Sequence, residues 1–451
     1  MTPLADLLAL QPKYDRPVPR YTSYPPVPAW RKDVGPAEHG AALAALAQQP
    51  ASPMAVYAHL PFCRTRCLYC GCHVVPTSRA EKVDRYLDQL EAEIHLVTGR
   101  LGLGRRVQAL HLGGGTPNFL SADQLRRLGG MLHLAFDLSA ATELSVEADP
   151  REVSPDQLGA LAALGFRRIS FGVQDTEPAV QTAIGRVQPL PVVAEAVAEA
   201  RGVGFRGVNI DLMYGLPHQT PASLDRTIDA VLALGPDRLA CFGYAHVPWM
   251  QKHQTAINEA FLPDAPARAS LFHRVVERLE DAGYAWVGLD HFARPDDPLA
   301  IAERERRLHR NFMGYTTRHI ADMVSLGASA ISEVGGRFAQ NEGRLPAYAA
   351  AIAEGRLPIA RGHELTADDR LRRAAILELL CNRRVAQALA WGELAEGYER
   401  IRETADDGLV AITGDGLEVT RLGRFFLRTL ASAFDAHLPT GEAARRMSRA
   451  L

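Results

Sequence analysis

Short runs rich in β-branched and apolar residues recur along the first half of the chain: MAVYAHL (54–60), VQALHL (107–112), TELSVEA (142–148), RRISFGV (167–173), GVNIDLMYG (207–215) and DRLACFGY (237–244). Between them lie helical patterns such as AEKVDRYLDQLEAEIHLV and SADQLRRLGGMLHLAF, where apolar residues return every three or four positions. Six strands alternating with helices predict βα units around a parallel sheet, either a barrel or an open doubly wound sheet. A seventh run, YAWVGLD (284–290), extends the series.

Polar punctuation falls where the predicted strands end: a cysteine-rich loop, then GGGTPN, Glu147-Ala-Asp149-Pro150, Gly172-Val-Gln174-Asp175, Asp211 and Tyr244-Ala-His246. The C-terminal strand ends of a (β/α) barrel converge on one mouth, so this pattern favours a barrel and an enzyme. Beyond about residue 360 the texture turns helical. The segment DGLVAITGDGLEVTRLGRFFLR then reads as strand, Gly-Asp-Gly turn, strand and helix, a small winged-helix-type unit. The predicted organisation is an N-terminal extension over 1–50, a barrel over 51–360 and a helical C-terminal domain over 361–451.

At 451 residues, a large domain with a smaller companion is expected. The composition is 47% hydrophobic and 23% charged, enough for a sizeable core and unlike that of disordered chains. The 50 Lys and Arg nearly balance the 52 Asp and Glu, so no net basic charge points to nucleic acid or an anionic membrane, even beside a winged-helix pattern. No apolar run reaches the length of a membrane span. The N-terminal stretch MTPLADLLAL lacks a basic start and is broken by Asp6, unlike a secretory signal. A cytoplasmic protein is expected, where clustered thiols bind metal or do redox chemistry.

The loop CRTRCLYCGCHVV holds Cys63, Cys67, Cys70 and Cys72, four of the chain's six cysteines. A zinc site is one reading, but four thiols so close in sequence close a tetrahedron less readily than two separated pairs. The spacing C-x3-C-x2-C suits a four-iron cluster bound by three thiolates from one loop. The fourth iron is then open to the amino and carboxylate groups of S-adenosylmethionine, the arrangement for reductive cleavage to a 5′-deoxyadenosyl radical. Gly113-Gly114-Gly115 lacks the Lys-Ser/Thr ending of a phosphate loop and reads instead as a place of close backbone approach.

With Tyr69 before its third cysteine, the loop resembles that of the radical S-adenosylmethionine superfamily. Longer words narrow the likeness: YTSYP (21–25), YAHLPFC (57–63), GGGTP (113–117), SVEADPRE (145–152), FGVQD (171–175), NIDLMYGLPHQTP (209–221), PDRLACFGYAHVP (236–248), DHFARPDD (290–297) and LHRNFMGYTT (308–317). In this order, from about residue 13 to the C-terminus, they resemble the oxygen-independent coproporphyrinogen III oxidase family. The resemblance implies an α/β fold, a partial (β/α)6-type barrel with a smaller, mostly helical C-terminal domain. It implies one [4Fe-4S] cluster on Cys63, Cys67 and Cys70, with Cys72 outside the ligand set. It also implies two S-adenosylmethionine molecules, the first contacted by Tyr57, Gly114, Glu147 and Ile331, the second by Tyr69, Gly115, Thr116, Gln174, Arg186, Asp211 and Ala245.

The activity implied is oxidative decarboxylation of two propionates of coproporphyrinogen III to vinyl groups, with an electron donor and an acceptor as further partners and a monomeric chain. An unactivated propionate β-carbon offers no acidic proton, so hydrogen-atom abstraction is the plausible entry. Tyr24 and His59 are candidate hydrogen-bond donors near the reacting centre, and Arg20, Arg294 and Arg310 are candidates for the substrate carboxylates. The alternatives are a haem-binding chaperone, which typically lacks the YTSYP segment, and a divergent porphyrin-pathway paralogue. Two departures from the family pattern, Glu333 and the CNRRVAQ stretch after Cys381, bear on the second alternative if they line the substrate cavity.

Overall fold

The computed structural model describes residues 2–30, 34–139, 143–439 and 447–451. The six predicted runs form strands β1 (Met54–Leu60), β2 (Ala109–Gly114), β3 (Glu143–Ala148), β4 (Arg168–Gln174), β5 (Gly207–Tyr214) and β6 (Arg238–Gly243). They pair in parallel in chain order, with helices Ala80–Leu101, Ala122–Ala135, Pro155–Ala163, Leu190–Gly202, Pro221–Leu232 and Ala265–Asp281 following the successive strands. This is the expected partial barrel. The first of these helices buries Val83, Leu87, Leu90, Ile94, Val97 and Leu101, a stripe at three- and four-residue spacing. Ser121, Ser154 and Thr220 cap the helices after β2, β3 and β5, each accepting from a backbone N–H three residues on.

The barrel does not close. Beyond β6 the predicted seventh run yields only β7 (Ala285–Val287), which pairs antiparallel with β8 (His291–Ala293), and β8 pairs antiparallel with β6. On the other side, β1 pairs in parallel with β9 (Asp322–Leu326), followed by the antiparallel strands β10 (Ile331–Val334), β11 (Arg337–Asn341) and β12 (Ile359–Glu364). A division at 360 falls inside β12, so the main sheet reaches into the segment whose sequence turns helical. The later hairpin is present: Val410–Thr413 pairs antiparallel with Gly416–Val419.

Strand alternation decides what the barrel encloses. Leu110, Leu112, Leu144, Val146, Ile169, Phe171, Val208, Ile210, Leu239 and Cys241 point to one face and are buried in the core. The intervening positions His111, Ser145, Glu147, Ser170, Gly172, Asn209 and Asp211 line a cavity of about 960 Å3. A closed barrel fills its interior with branched apolar residues. Here polar side chains face inward and leave room for a ligand. Among the described residues no helix is long and apolar enough to cross a membrane.

Candidate active site

The cysteine loop leaves β1 and is bound to the glycine loop that leaves β2. Gly115 N–H donates to Leu60 O (2.8 Å) and Thr116 N–H to Phe62 O (2.8 Å). A Cβ on Gly115 would sit 2.7 Å from the Pro61 and Phe62 backbone, and one on Gly114 (φ +117°) 2.7 Å from the His59 ring. The glycines therefore serve the close approach inferred from sequence. A second clasp comes from the segment after β6. Gln251 donates to the carbonyl of Gly71 (3.3 Å), His253 to that of Cys70 (2.8 Å) and Gln254 to that of Tyr69 (3.0 Å).

Cys63, Cys67 and Cys70 all face the cavity, and all six cysteines are free thiols. Among the described residues no three or more His, Cys, Asp or Glu side chains converge as a site for a single metal ion. Three cavity-facing thiols on one loop remain suited to a larger cluster. Cys63 lies 3.2 Å from Thr116 Oγ1, and burial pushes its thiol up to about 11. Arg186 Nη1 stands 3.5 Å from Cys67 Sγ, and Arg151 Nη2 stands 4.0 Å from it. Both guanidiniums meet Asp149, at 2.9 and 2.7 Å. Burial opposes ionisation of Asp149, yet the hydrogen bond from Arg151 and the charge of Arg186 hold its carboxyl below the usual range. Cys72 lines the same cavity and is exposed to it.

Two carboxylates stand further along the wall. Glu147 accepts from Gly114 N–H (3.0 Å) and lies 3.3 Å from His111 Nε2. Burial works against its charge, but the His111 and Gly114 contacts keep it below the ordinary carboxylate value. Asp211 accepts from Ser170 Oγ (3.0 Å) and Asn209 Nδ2 (2.7 Å). Burial, with Glu147 nearby, pushes it up to about 6. A register shift between Gly172 and Gln174, with Gln174 at φ +68°, bends the end of β4, where Gln174 joins the cavity wall. Arg186 also donates to Gly172 O (2.5 Å).

Of the residues expected at S-adenosylmethionine, Tyr69, Gly114, Gly115, Thr116, Glu147, Gln174, Arg186, Asp211 and Ala245 line this one cavity. Tyr57 stacks on His111, ring centroids 5.9 Å apart, and its hydroxyl donates to His59 Nδ1 (3.1 Å). His59 donates through Nε2 to His73 O (3.1 Å), and burial lowers it to about 4. It is a neutral strut between β1 and the exit of the cysteine loop. Ile331 opens β10, one strand removed from Tyr57 across β9, and packs toward Trp30 and Phe338.

Tyr24 is displaced from the role expected of it. It is 2% exposed, lies outside the cavity wall, and its hydroxyl accepts from Ala436 N–H (3.1 Å). Its place in the fold makes it a packing residue between the N- and C-terminal segments. Arg294 is likewise elsewhere: it donates to Pro236 O and Gly235 O (3.2 Å each), before β6 begins, whereas Arg20 lines the cavity mouth. Glu333 is buried and bonded to Arg373 at 2.8 Å, and Cys381 packs with Val287 and Leu308, so neither departure lines the cavity. Asp149 belongs to the polar strand ends noted in the sequence, whereas the supporting residues Arg151, His111, Ser170, Asn209 and His253 were not singled out from it. Asn209 sits two residues before Asp211 on the same strand face, a signal the alternation contains.

Comparison with known proteins agrees with this geometry. Residues 57–231 match the family model of the radical SAM superfamily. The oxygen-independent coproporphyrinogen III oxidases of Salmonella typhimurium and of Escherichia coli K12 are each 41% identical over 452 residues, covering 98% of this chain and 98% of theirs. A solved structure described as coproporphyrinogen III oxidase from Escherichia coli, a radical SAM enzyme, matches with a TM-score of 0.88 at 40% identity, over 93% of this chain and 98% of that one.

Proposed function

We propose that this chain, which belongs to the oxygen-independent coproporphyrinogen III oxidase family of radical S-adenosylmethionine enzymes, converts coproporphyrinogen III to protoporphyrinogen IX by oxidative decarboxylation of the ring A and B propionates. The observation that carries this reading is that the cysteine loop and the polar ends of β2 to β6 meet in one cavity of about 960 Å3. Cys63, Cys67 and Cys70 would hold a [4Fe-4S] cluster, which would supply the one-electron chemistry by which S-adenosylmethionine initiates hydrogen abstraction from a propionate.

The chain's own residues bind and orient. Thr116 and Arg186 set the polarity around Cys63 and Cys67, and the clasp from 251–254 holds the loop's shape. Glu147, fixed by His111 and Gly114, is placed to accept from a nucleoside hydroxyl. Two S-adenosylmethionine molecules are proposed, with Tyr57, Gly114, Glu147 and Ile331 serving the first and Tyr69, Gly115, Thr116, Gln174, Arg186, Asp211 and Ala245 the second. An electron donor and an electron acceptor complete the reaction from outside the chain. Segment 1–50 is proposed as a cover of a 51–360 barrel, supported by Arg20 at the cavity mouth, and 361–451 as its helical companion. A cytoplasmic monomer is the matching expectation. The haem-binding alternative gains nothing from relatives that are, along their whole length, named oxidases.

The test is a single-turnover reaction of anaerobically reconstituted protein with coproporphyrinogen III, S-adenosylmethionine, a reductant and an acceptor-containing extract. With one cysteine loop serving two propionates, a monovinyl tricarboxylate rises and decays before protoporphyrinogen IX accumulates. Unchanged coproporphyrinogen beside stable haem binding overturns the proposal.

A further inference from the structure

The helix Ala80–Leu101, which follows the cysteine loop, buries Tyr86 and Glu93 seven residues apart, two helical turns along one face. Both are 2% exposed, and neither lines the cavity. Tyr86 reaches the root of the cysteine loop. Its hydroxyl donates to His59 O (2.7 Å), and its ring meets the edge of Phe62, the residue before Cys63, with centroids 5.3 Å apart. The same hydroxyl accepts from Ala328 N–H (2.9 Å), in the turn 327–330 that joins β9 to β10.

Glu93 holds the same turn. Its carboxylate accepts from Gly327 N–H (2.7 Å), from Asn341 Nδ2 (2.6 Å) at the end of β11 and from the Tyr348 hydroxyl (2.6 Å), while Asn341 also donates to Gly327 O (2.8 Å). At Gly327 (φ +97°) an added Cβ would lie 2.4 Å from the Tyr86 hydroxyl and 2.6 Å from His59 O. The turn is pressed against the end of β1, where a side chain has no room. It leads directly into Ile331, whose carbonyl accepts from Ser325 Oγ (2.5 Å), and Ser325 stands beside Tyr57 in the β1–β9 register.

A carboxylate buried among neutral donors is a costly way to fill space. Burial pushes Glu93 up to about 7 against the hydrogen bonds that draw it down, and an apolar side chain of similar volume would pack at less cost. What the carboxylate adds is direction. Hydrogen bonds from Gly327, Asn341 and Tyr348 tie three segments to one helix, and each bond holds only over a narrow range of distance and angle.

We infer that Tyr86 and Glu93 are positioning residues for S-adenosylmethionine: together they lock the 327–330 turn against the root of the cysteine loop and so fix Ile331 relative to Tyr57 and the three cysteines. The inference rests on the proposed function, in which Tyr57 and Ile331 contact the first S-adenosylmethionine and the cysteines hold the cluster. A ligand gripped by two walls binds less tightly when one wall drifts, because binding must then also order that wall.

The experiment measures equilibrium binding of S-adenosylmethionine to the anaerobically reconstituted full chain, per iron-replete molecule, together with the change in the reduced cluster's electron paramagnetic resonance spectrum when S-adenosylmethionine is added. Y86F removes one hydroxyl and E93L removes the acceptor, while V97A, on the same buried helix, is a packing control. Y86F and E93L each weaken binding roughly tenfold or more, shrink the spectral change, and raise KM for S-adenosylmethionine more than KM for coproporphyrinogen III. E93Q, which keeps the shape and one acceptor oxygen, recovers part of the affinity. Hydrogen exchange at the Gly327 and Ala328 amides is faster in the ligand-free variants than in the wild type. V97A lowers the melting temperature and leaves the affinity unchanged. Y86F and E93Q carry the test if E93L does not fold. Wild-type affinity in iron-replete Y86F and E93L overturns the positioning role, as does an equal loss of affinity in V97A. A wild type that retains its cluster but binds no S-adenosylmethionine overturns the proposed function and the inference with it.

Discussion

Arg186 Nη1 lies 3.5 Å from Cys67 Sγ, although 119 positions separate the two residues in the chain. The same nitrogen lies 2.9 Å from Asp149, which also meets Arg151, so one carboxylate orients two cations toward one thiol. Arg186→Leu should destabilise the fold by roughly 1–3 kcal/mol, less than for a fully orphaned buried charge because Arg151 still serves Asp149. Calorimetric melting checks the stability. Iron content after reconstitution, expected to fall below one cluster per chain, checks the thiol.

Substituting Cys63, Cys67 or Cys70 with Ser should abolish cluster retention, because these three, in C-x3-C-x2-C spacing on one cavity-facing loop, are the proposed ligands and Cys72 falls outside that spacing. Cys72→Ser should retain it. Iron and sulfide analysis of anaerobically reconstituted variants decides the matter, and stoichiometric zinc without iron in the wild type would contradict the assignment.

Asp211 should affect turnover without touching the cluster. Asp211→Asn is expected to keep the iron chromophore and to lower kcat/KM by a factor of roughly 100 or more, a positioning loss. Equilibrium dialysis should show two S-adenosylmethionine molecules per wild-type chain under saturating anaerobic conditions, and a clean stoichiometry of one would refute the second site.

The same residue makes stability depend on pH. Its folded value of about 6 lies above the ordinary carboxylate value, so between the two the folded state binds the extra proton. That contribution is fully present below about pH 4 and is lost as pH rises through 6, by up to roughly 3 kcal/mol. Denaturation of the ligand-free protein across this window should show the loss, and Asp211→Asn should flatten it.

Gly115→Ala should uncouple the glycine loop from the cysteine loop, since its Cβ would meet backbone rather than a side chain that can yield. A cost of about 1–3 kcal/mol and reduced iron incorporation are expected. Gly71→Ala, inside the cysteine loop, meets nothing within 4 Å and should stay within about 0.5 kcal/mol of wild type. Thermal melts of the pair separate a packing effect from a general intolerance of substitution.

Local periodicity determined the strands. Runs such as ELSVEA and RISFGV alternate between core-facing and cavity-facing positions, and β1 begins and ends where its run does. The cysteine spacing and the polar strand ends were equally legible, because a loop that wraps a cluster and a barrel mouth both draw on residues close together in the chain. Tertiary structure alone decided the rest. The seventh run became an antiparallel edge, and β9 to β12 extended the sheet past β1, because strand pairing is a contest between distant segments that short-range pattern does not encode. Tyr24 turned inward and Arg294 away from the mouth, while Arg268 and Arg428, far apart in the chain, came to line one space with Arg20 and Arg310. A charge in the chain carries no label for its partner; only packing sets which charges share a space.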